Sequence, residues 1–185
     1  MAGQRFVEVD PALMTDEQRR VVEAITSGPR GFVAEPYRLL LHSPELADRV
    51  QTLGAYVRYR SVLPPRLSEL AILVTARTWD NRFEWYHHVR DALAGGVPRA
   101  EIEAIARRER PQFDDAKASV VYDFCRELLD DKSVGDETFA RAIDALDVAG
   151  VVDLIGILGH YALLANLMNA FEVPPPGEAE IPLAD

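Results

Sequence analysis

Residues 69–88 read ELAILVTARTWDNRFEWYHH. A nearly all-apolar helix opens the stretch with a glutamate near its start. A second helix follows, carrying Glu84 and His88 one turn apart. Burying a charge is costly unless it is paired and hydrogen-bonded. A carboxylate and two imidazoles set among Trp79, Phe83, Trp85 and Tyr86 therefore point to a site rather than a solvated face. The run offers no period of two, and helical patterning continues on both sides of it.

Outward from this stretch, the punctuation predicts helices almost throughout. Residues Met1 to Leu13 read as an extended arm. Thr15 and Gln18 form a capping-box pattern for a first helix to about Thr26. GPRG, Gly28 to Gly31, is a turn, and a short helix spans Pro36 to His42. Ser43-Pro44 opens a helix to Arg60 with Leu46, Val50, Leu53 and Val57 on one stripe. Pro64-Pro65 starts the quoted helix, Asp80-Asn81 is its joint, and Gly95-Gly96 ends the next. Further helices follow from Pro98, from an Asp114 cap, from an Asp136 cap and from Val151 to Phe171. The last is apolar nearly all round, as for a helix buried by neighbours or by another subunit. No strand or hairpin is predicted. The expectation is one domain over residues 1–185, with an arm at 1–13 and a loosely ordered tail at 174–185.

The composition narrows the function. Thirty acidic residues against 20 basic give a net charge of −10, the wrong sign for displacing counterions from nucleic acid or for docking on anionic membranes. No uninterrupted run reaches the roughly 18 apolar residues of a membrane span, and the first residues lack the apolar core of a secretory signal. A single cysteine, Cys125, excludes an intrachain disulfide and suits a reducing compartment. The expected setting is the cytoplasm.

Glu84 and His88, at i and i+4, project from one helical face. Such a pair holds an imidazole in one tautomer and supplies an acid or base near neutral pH; a helix-stabilising ion pair accounts for it equally. Glu69, read as lying in the first turn of its helix, and Arg77, near the other end, complement the helix dipole. Folding back at Asp80-Asn81 would also let Glu69 orient His88. Arg30, and Arg58 with Arg60, are candidate anion clamps, since a guanidinium binds a carboxylate through two parallel bonds. Trp85, His87, His160 and Tyr161 are the remaining candidates for substrate contact, although a histidine on an apolar helix such as His160 is usually a satisfied core residue. Glu84-x-x-His87 is half of a di-iron motif, but no second half exists. No metal and no cofactor are expected. Phosphate loops, nucleophile elbows and paired zinc-binding cysteines are missing from the sequence.

From Leu63 to Ile105 the chain resembles the carboxymuconolactone decarboxylase family of the alkylhydroperoxidase D-like superfamily. The resemblance rests on Arg66-x-x-Glu69, on Glu84 followed by His88, and on the Gly96-Val97 turn. Residues 153–174, DLIGILGHYALLANLMNAFEVP, also look like the tail of many members. The resemblance implies an all-α, alkylhydroperoxidase D-like helical bundle, assembled as a homotrimer or a hexamer of two trimers, with a site near a subunit interface and a role in breaking down aromatic compounds. The peroxidase branch uses Cys-x-x-Cys where this chain has Asn81 and Glu84. The expected activity is therefore that of a cofactor-free lyase on a small carboxylated lactone or related ring. His88 would move the proton, Glu84 would orient it, and Glu69 would support the pair. The alternatives are a peroxide-handling oxidoreductase without a cysteine pair, and a non-catalytic oligomeric protein that binds small molecules.

Overall fold

The computed structural model describes residues 5–184. The first four residues of the expected arm and the final residue of the expected tail lie outside the described residues. Among the described residues, eight α-helices follow a 3-10 turn at Pro11–Leu13: α1 (Asp16–Ser27), α2 (Glu35–Leu40), α3 (Pro44–Tyr59), α4 (Pro65–Thr78), α5 (Arg82–Ala94), α6 (Arg99–Ala106), α7 (Ala116–Asp131) and α8 (Asp136–Ala170). No strand occurs among the described residues.

Helix α4 is the centre. Its residues 69–77 are all buried, and it packs against α5, α6, α7 and α8. Burying one Leu or Ile side chain stabilises by about 1.5–3 kcal/mol, and α4 buries four of them, Leu67, Leu70, Ile72 and Leu73. A second apolar cluster joins α1, α2 and α3 to the end of α8 through Val21, Ile25, Tyr37, Val50, Leu164 and Met168.

Several local expectations are corrected. The inward stripe of α3 is Ala47, Val50, Gly54 and Val57, whereas Leu46 and Leu53 are 46% and 43% exposed. The small residues let α3 approach α8 closely, which rotates the helix by about one position. Ser43 makes no side-chain cap. Asp115, not Asp114, caps α7 by accepting from the Lys117 amide. Gly135, not Asp136, is the N-cap of α8; Glu127 of α7 satisfies that terminus by accepting from Gly135 N and Thr138 Oγ1. A carboxylate from a neighbouring helix thus replaces the local cap.

Helix α8 breaks at Asp147, where φ is 60° and ψ is 172°. The segment after the break bears Val148, Val152, Ile155 and Leu163 as an exposed apolar stripe, so the helix is buried on one face only. By length and composition alone α8 is long and apolar enough to cross a membrane, with an 18-residue window of mean hydropathy 1.8. Over half of that window is buried within the fold, and its Asp153 accepts from Tyr56 Oη and Val62 N.

The termini are tied down. Arg5 donates to Ala170 O and Arg38 pairs with Glu8. The tail expected to hang loosely is irregular but held. Trp85 Nε1 donates to Ile181 O at 2.7 Å, Arg77 Nη2 donates to Ala184 O at 2.8 Å, and Ile181 is buried.

Candidate active site

Helix α5 sorts its residues by a period of 3.6. Trp85, Val89 and Ala92 face the core. Glu84, His87, His88 and Asp91 face the other way, into a cavity of about 210 Å³. Trp85 therefore contributes nothing to that wall: it is 1% exposed and its indole N–H is held by the tail. Of the aromatics expected around the site, only Phe83 lines the cavity; Trp79 is partly exposed, and Tyr86 borders a separate hollow with Glu178 and Glu180. The orientation of α5 is set by Asn81, whose Oδ1 accepts from Glu84 N at 2.8 Å. Its Nδ2 donates to Asn169 Oδ1 at 2.8 Å on α8. The residue at the position of the absent redox cysteine is thus a buried helix cap.

His88 is the hub. Its Nδ1 lies 2.7 Å from Glu69 Oε2 and its Nε2 lies 3.3 Å from Glu84 Oε2. Glu69 is the fifth residue of α4, beyond the first turn, and it stands behind the imidazole rather than on the cavity wall. The Tyr161 ring meets His88 edge-on at 4.9 Å. Burial opposes a charge on His88, but the Glu69 and Glu84 carboxylates outweigh it and push the pKa up to about 9. The resting imidazole is thus protonated at neutral pH, with one N–H directed to each carboxylate.

Arg58 of α3 closes the group. Its Nη2 donates to Asp91 Oδ2 at 2.5 Å, and its Nη1 lies 3.4 Å from His88 Nε2. Burial works against the charge on Arg58, but Tyr161, Glu69 and Asp91 raise its pKa further. Burial raises and Arg58 lowers the pKa of Asp91, and the pairing prevails. Donor atoms of Glu69, His88 and Asp91 come within 4.8 Å of one another, a spacing that suits a divalent ion. With Arg58 bonded to Asp91 and set beside His88, that spacing faces a guanidinium, so the set does not fit a cation.

Arg30, Tyr37, His160 and Tyr161 also line the cavity. Arg30 lies over the Tyr37 ring at 4.5 Å, and its Nη2 donates to Tyr37 Oη at 3.0 Å. Gly54 makes room here: a Cβ at that position would meet Tyr37 Oη at 2.4 Å and His160 Nε2 at 2.8 Å. His160 Nδ1 and His87 Nε2 are buried without a hydrogen-bond partner among the described residues. Burial, with Arg30 and His88 adding to it, pushes the His160 pKa down to about 4, and burial lowers that of His87. Both are neutral near pH 7. Sequence reasoning missed Asp91, Tyr37 and Gly54. Asp91 was within reach, being three residues beyond His88 on the same helical face; the other two carry no local signal.

Residues 44–125 match the model of the carboxymuconolactone decarboxylase family. The match spans less than half of the chain and makes this helical segment similar to that family. Its span covers α3 to the middle of α7 and supplies Arg58, Glu69, Glu84, His88 and Asp91. Arg30 and Tyr37 precede the family segment, and His160 and Tyr161 follow it. Among solved structures the chain is similar to the debrominase Bmp8 in its apo form, with a TM-score of 0.72 and 12% identity over 93% of this chain and 92% of that one. It is similar also to a cysteine-to-alanine variant of Bmp8 in complex with 2,3,4-tribromopyrrole, with a TM-score of 0.70 and 12% identity over 90% and 89%. At that identity the likeness is one of fold. No curated protein matches the chain.

Proposed function

We propose that the cavity is the active site of a cofactor-free lyase that decarboxylates a small carboxylated lactone or related ring. The observation that carries this reading is His88, buried between Glu69 and Glu84 and next to Arg58 on the cavity wall. A guanidinium lining the cavity holds the substrate carboxylate. The bond from ring carbon to carboxylate breaks, carbon dioxide leaves, and the electron pair delocalises into the conjugated lactone carbonyl. His88 Nε2 then delivers its proton to the carbon that accumulates charge. The neutral ring that results keeps its Nδ1–H on Glu69, and its bare Nε2 accepts from Arg58 until solvent restores the proton. Glu69 sets the tautomer throughout, and Glu84 favours reprotonation of Nε2.

The debrominase Bmp8 binds a small halogenated ring, which supports a ring-sized ligand on this fold. A chemistry that needs a reactive thiol does not suit this chain. Cys125 lies on α7, outside the cavity lining, and burial raises its thiol pKa. The chain is further proposed to assemble with itself through the exposed α8 stripe.

The test is carbon dioxide release, with detection of the decarboxylated product, across a panel of carboxylated five- and six-membered lactones. His88→Ala should lower turnover of any substrate by about 100-fold or more. A panel with no turnover, or a fully active His88→Ala enzyme, overturns the reading.

A further inference from the structure

We propose that the cavity takes a small cyclic monocarboxylate whose single anion seats on Arg30, while Arg58 acts on His88 rather than on the ligand. This deepens, and rests on, the reading of the cavity as the active site.

Three guanidiniums line the cavity: Arg30, Arg58 and Arg90. Arg58 is committed to Asp91 and to the edge of His88. Arg90 has a side chain 78% exposed and reaches toward Asp91 at 3.4 Å, so water screens it. Arg30 differs from both. It is half-buried, stacks on Tyr37 and makes no ion pair among the described residues. Its fork has five N–H donors, one of them on Tyr37 Oη. The stack fixes the plane of the guanidinium in advance, which lowers the entropy lost on binding a carboxylate.

The anionic groups on the same walls set the limit of one charge. Glu84 and Asp91 face the cavity and Glu69 stands behind His88, three carboxylates against the His88 imidazolium and the Arg58 guanidinium, so a second ligand carboxylate there would meet net negative charge. Glu35 lines the cavity too and adds to that repulsion. The remaining wall supplies no further cation, since His160 and His87 are neutral and offer hydrogen bonds only. A volume of about 210 Å³ suits one ring with its substituents. Arg30 and Tyr37 lie ahead of the family segment, so this recognition belongs to the chain's own flanking sequence.

Calorimetric titration of the full chain with furan-2-carboxylate, its neutral amide and furan-2,5-dicarboxylate tests the proposal. The wild type should bind the monocarboxylate at least about ten-fold more tightly than either of the others, the gain of a charge-assisted contact. Arg30→Gln should abolish the preference for acid over amide and leave amide affinity unchanged, and Arg30→Lys should restore part of it. Arg58→Lys should keep the preference while shifting the His88 imidazole titration seen by nitrogen-15 NMR. Retained acid preference in Arg30→Gln, tighter binding of the dicarboxylate, or no monocarboxylate binding by the wild type would overturn it. Binding needs no turnover, so the two readings fail separately. Acid preference without carbon dioxide release sinks the lyase alone, and release without dependence on Arg30 sinks this assignment alone.

Discussion

The protonation of His88 decides what this cavity can do. A solvent-exposed imidazole is half neutral near pH 6.5, whereas His88 keeps its proton to about pH 9. Glu69→Gln removes the strongest support for the charge and should lower the His88 pKa toward or below its ordinary value. Nitrogen-15 shifts of the ring would show this, and an unmoved titration would refute the assigned role. Stability carries the same signature. His88 is raised above its unfolded value, so its contribution is full below about pH 6.5 and is lost as pH rises through about 9. His160 is depressed, so its contribution is present above about pH 6.5 and is lost as pH falls through about 4. Denaturant midpoints should peak between these flanks. His88→Ala should flatten the alkaline flank and leave the acid one.

At the scale of elements, caps and close approaches position the site. Asn81→Ala removes the α5 cap and its tie to α8. A lost cap costs about 0.5–2 kcal/mol, and chemical denaturation should show at least that. Gly54→Ala drives a methyl group into Tyr37 Oη and His160. Such overpacking typically costs about 1–3 kcal/mol, and the variant should lose monocarboxylate affinity as Tyr37 and Arg30 shift. Asp147 sits where only glycine is at ease, a conformation that costs about 1–3 kcal/mol. Asp147→Gly should therefore raise the melting temperature. These elements also show how far local reading reaches. The Thr15–Gln18 capping box and the Pro-led starts of α3 and α4 form as their residue types dictate. The α8 start does not, because its cap comes from Glu127 on another helix.

For the whole molecule, the tail and the α8 stripe are the points of test. Truncation after Gly177 removes Ile181, whose burial stabilises by about 1.5–3 kcal/mol, and strands the Trp85 indole. The truncated chain should unfold at lower denaturant while Arg30 keeps its preference for acids. Light scattering should report a mass above one chain, and Val152→Glu with Ile155→Glu should reduce it to the monomer. An unchanged mass would remove the stripe from the interface. The exposure of that stripe was half legible. An apolar helix announces burial, but whether a neighbouring helix or a second chain covers each face depends on packing that no local pattern encodes.

The chain's own sequence determined the helices and the shared face of Glu84 and His88, because capping, proline placement and an i, i+4 spacing act within one or two turns. Only the tertiary structure decided that Glu69 stands behind His88, that Arg58 belongs to Asp91, that Trp85 turns to the core and that Arg30 lines the cavity on Tyr37 with no ion pair among the described residues. Those contacts join residues distant along the chain. Their geometry follows from how α3, α4, α5 and α8 fill space against one another, and a shift of one position about a helix axis would have chosen different partners.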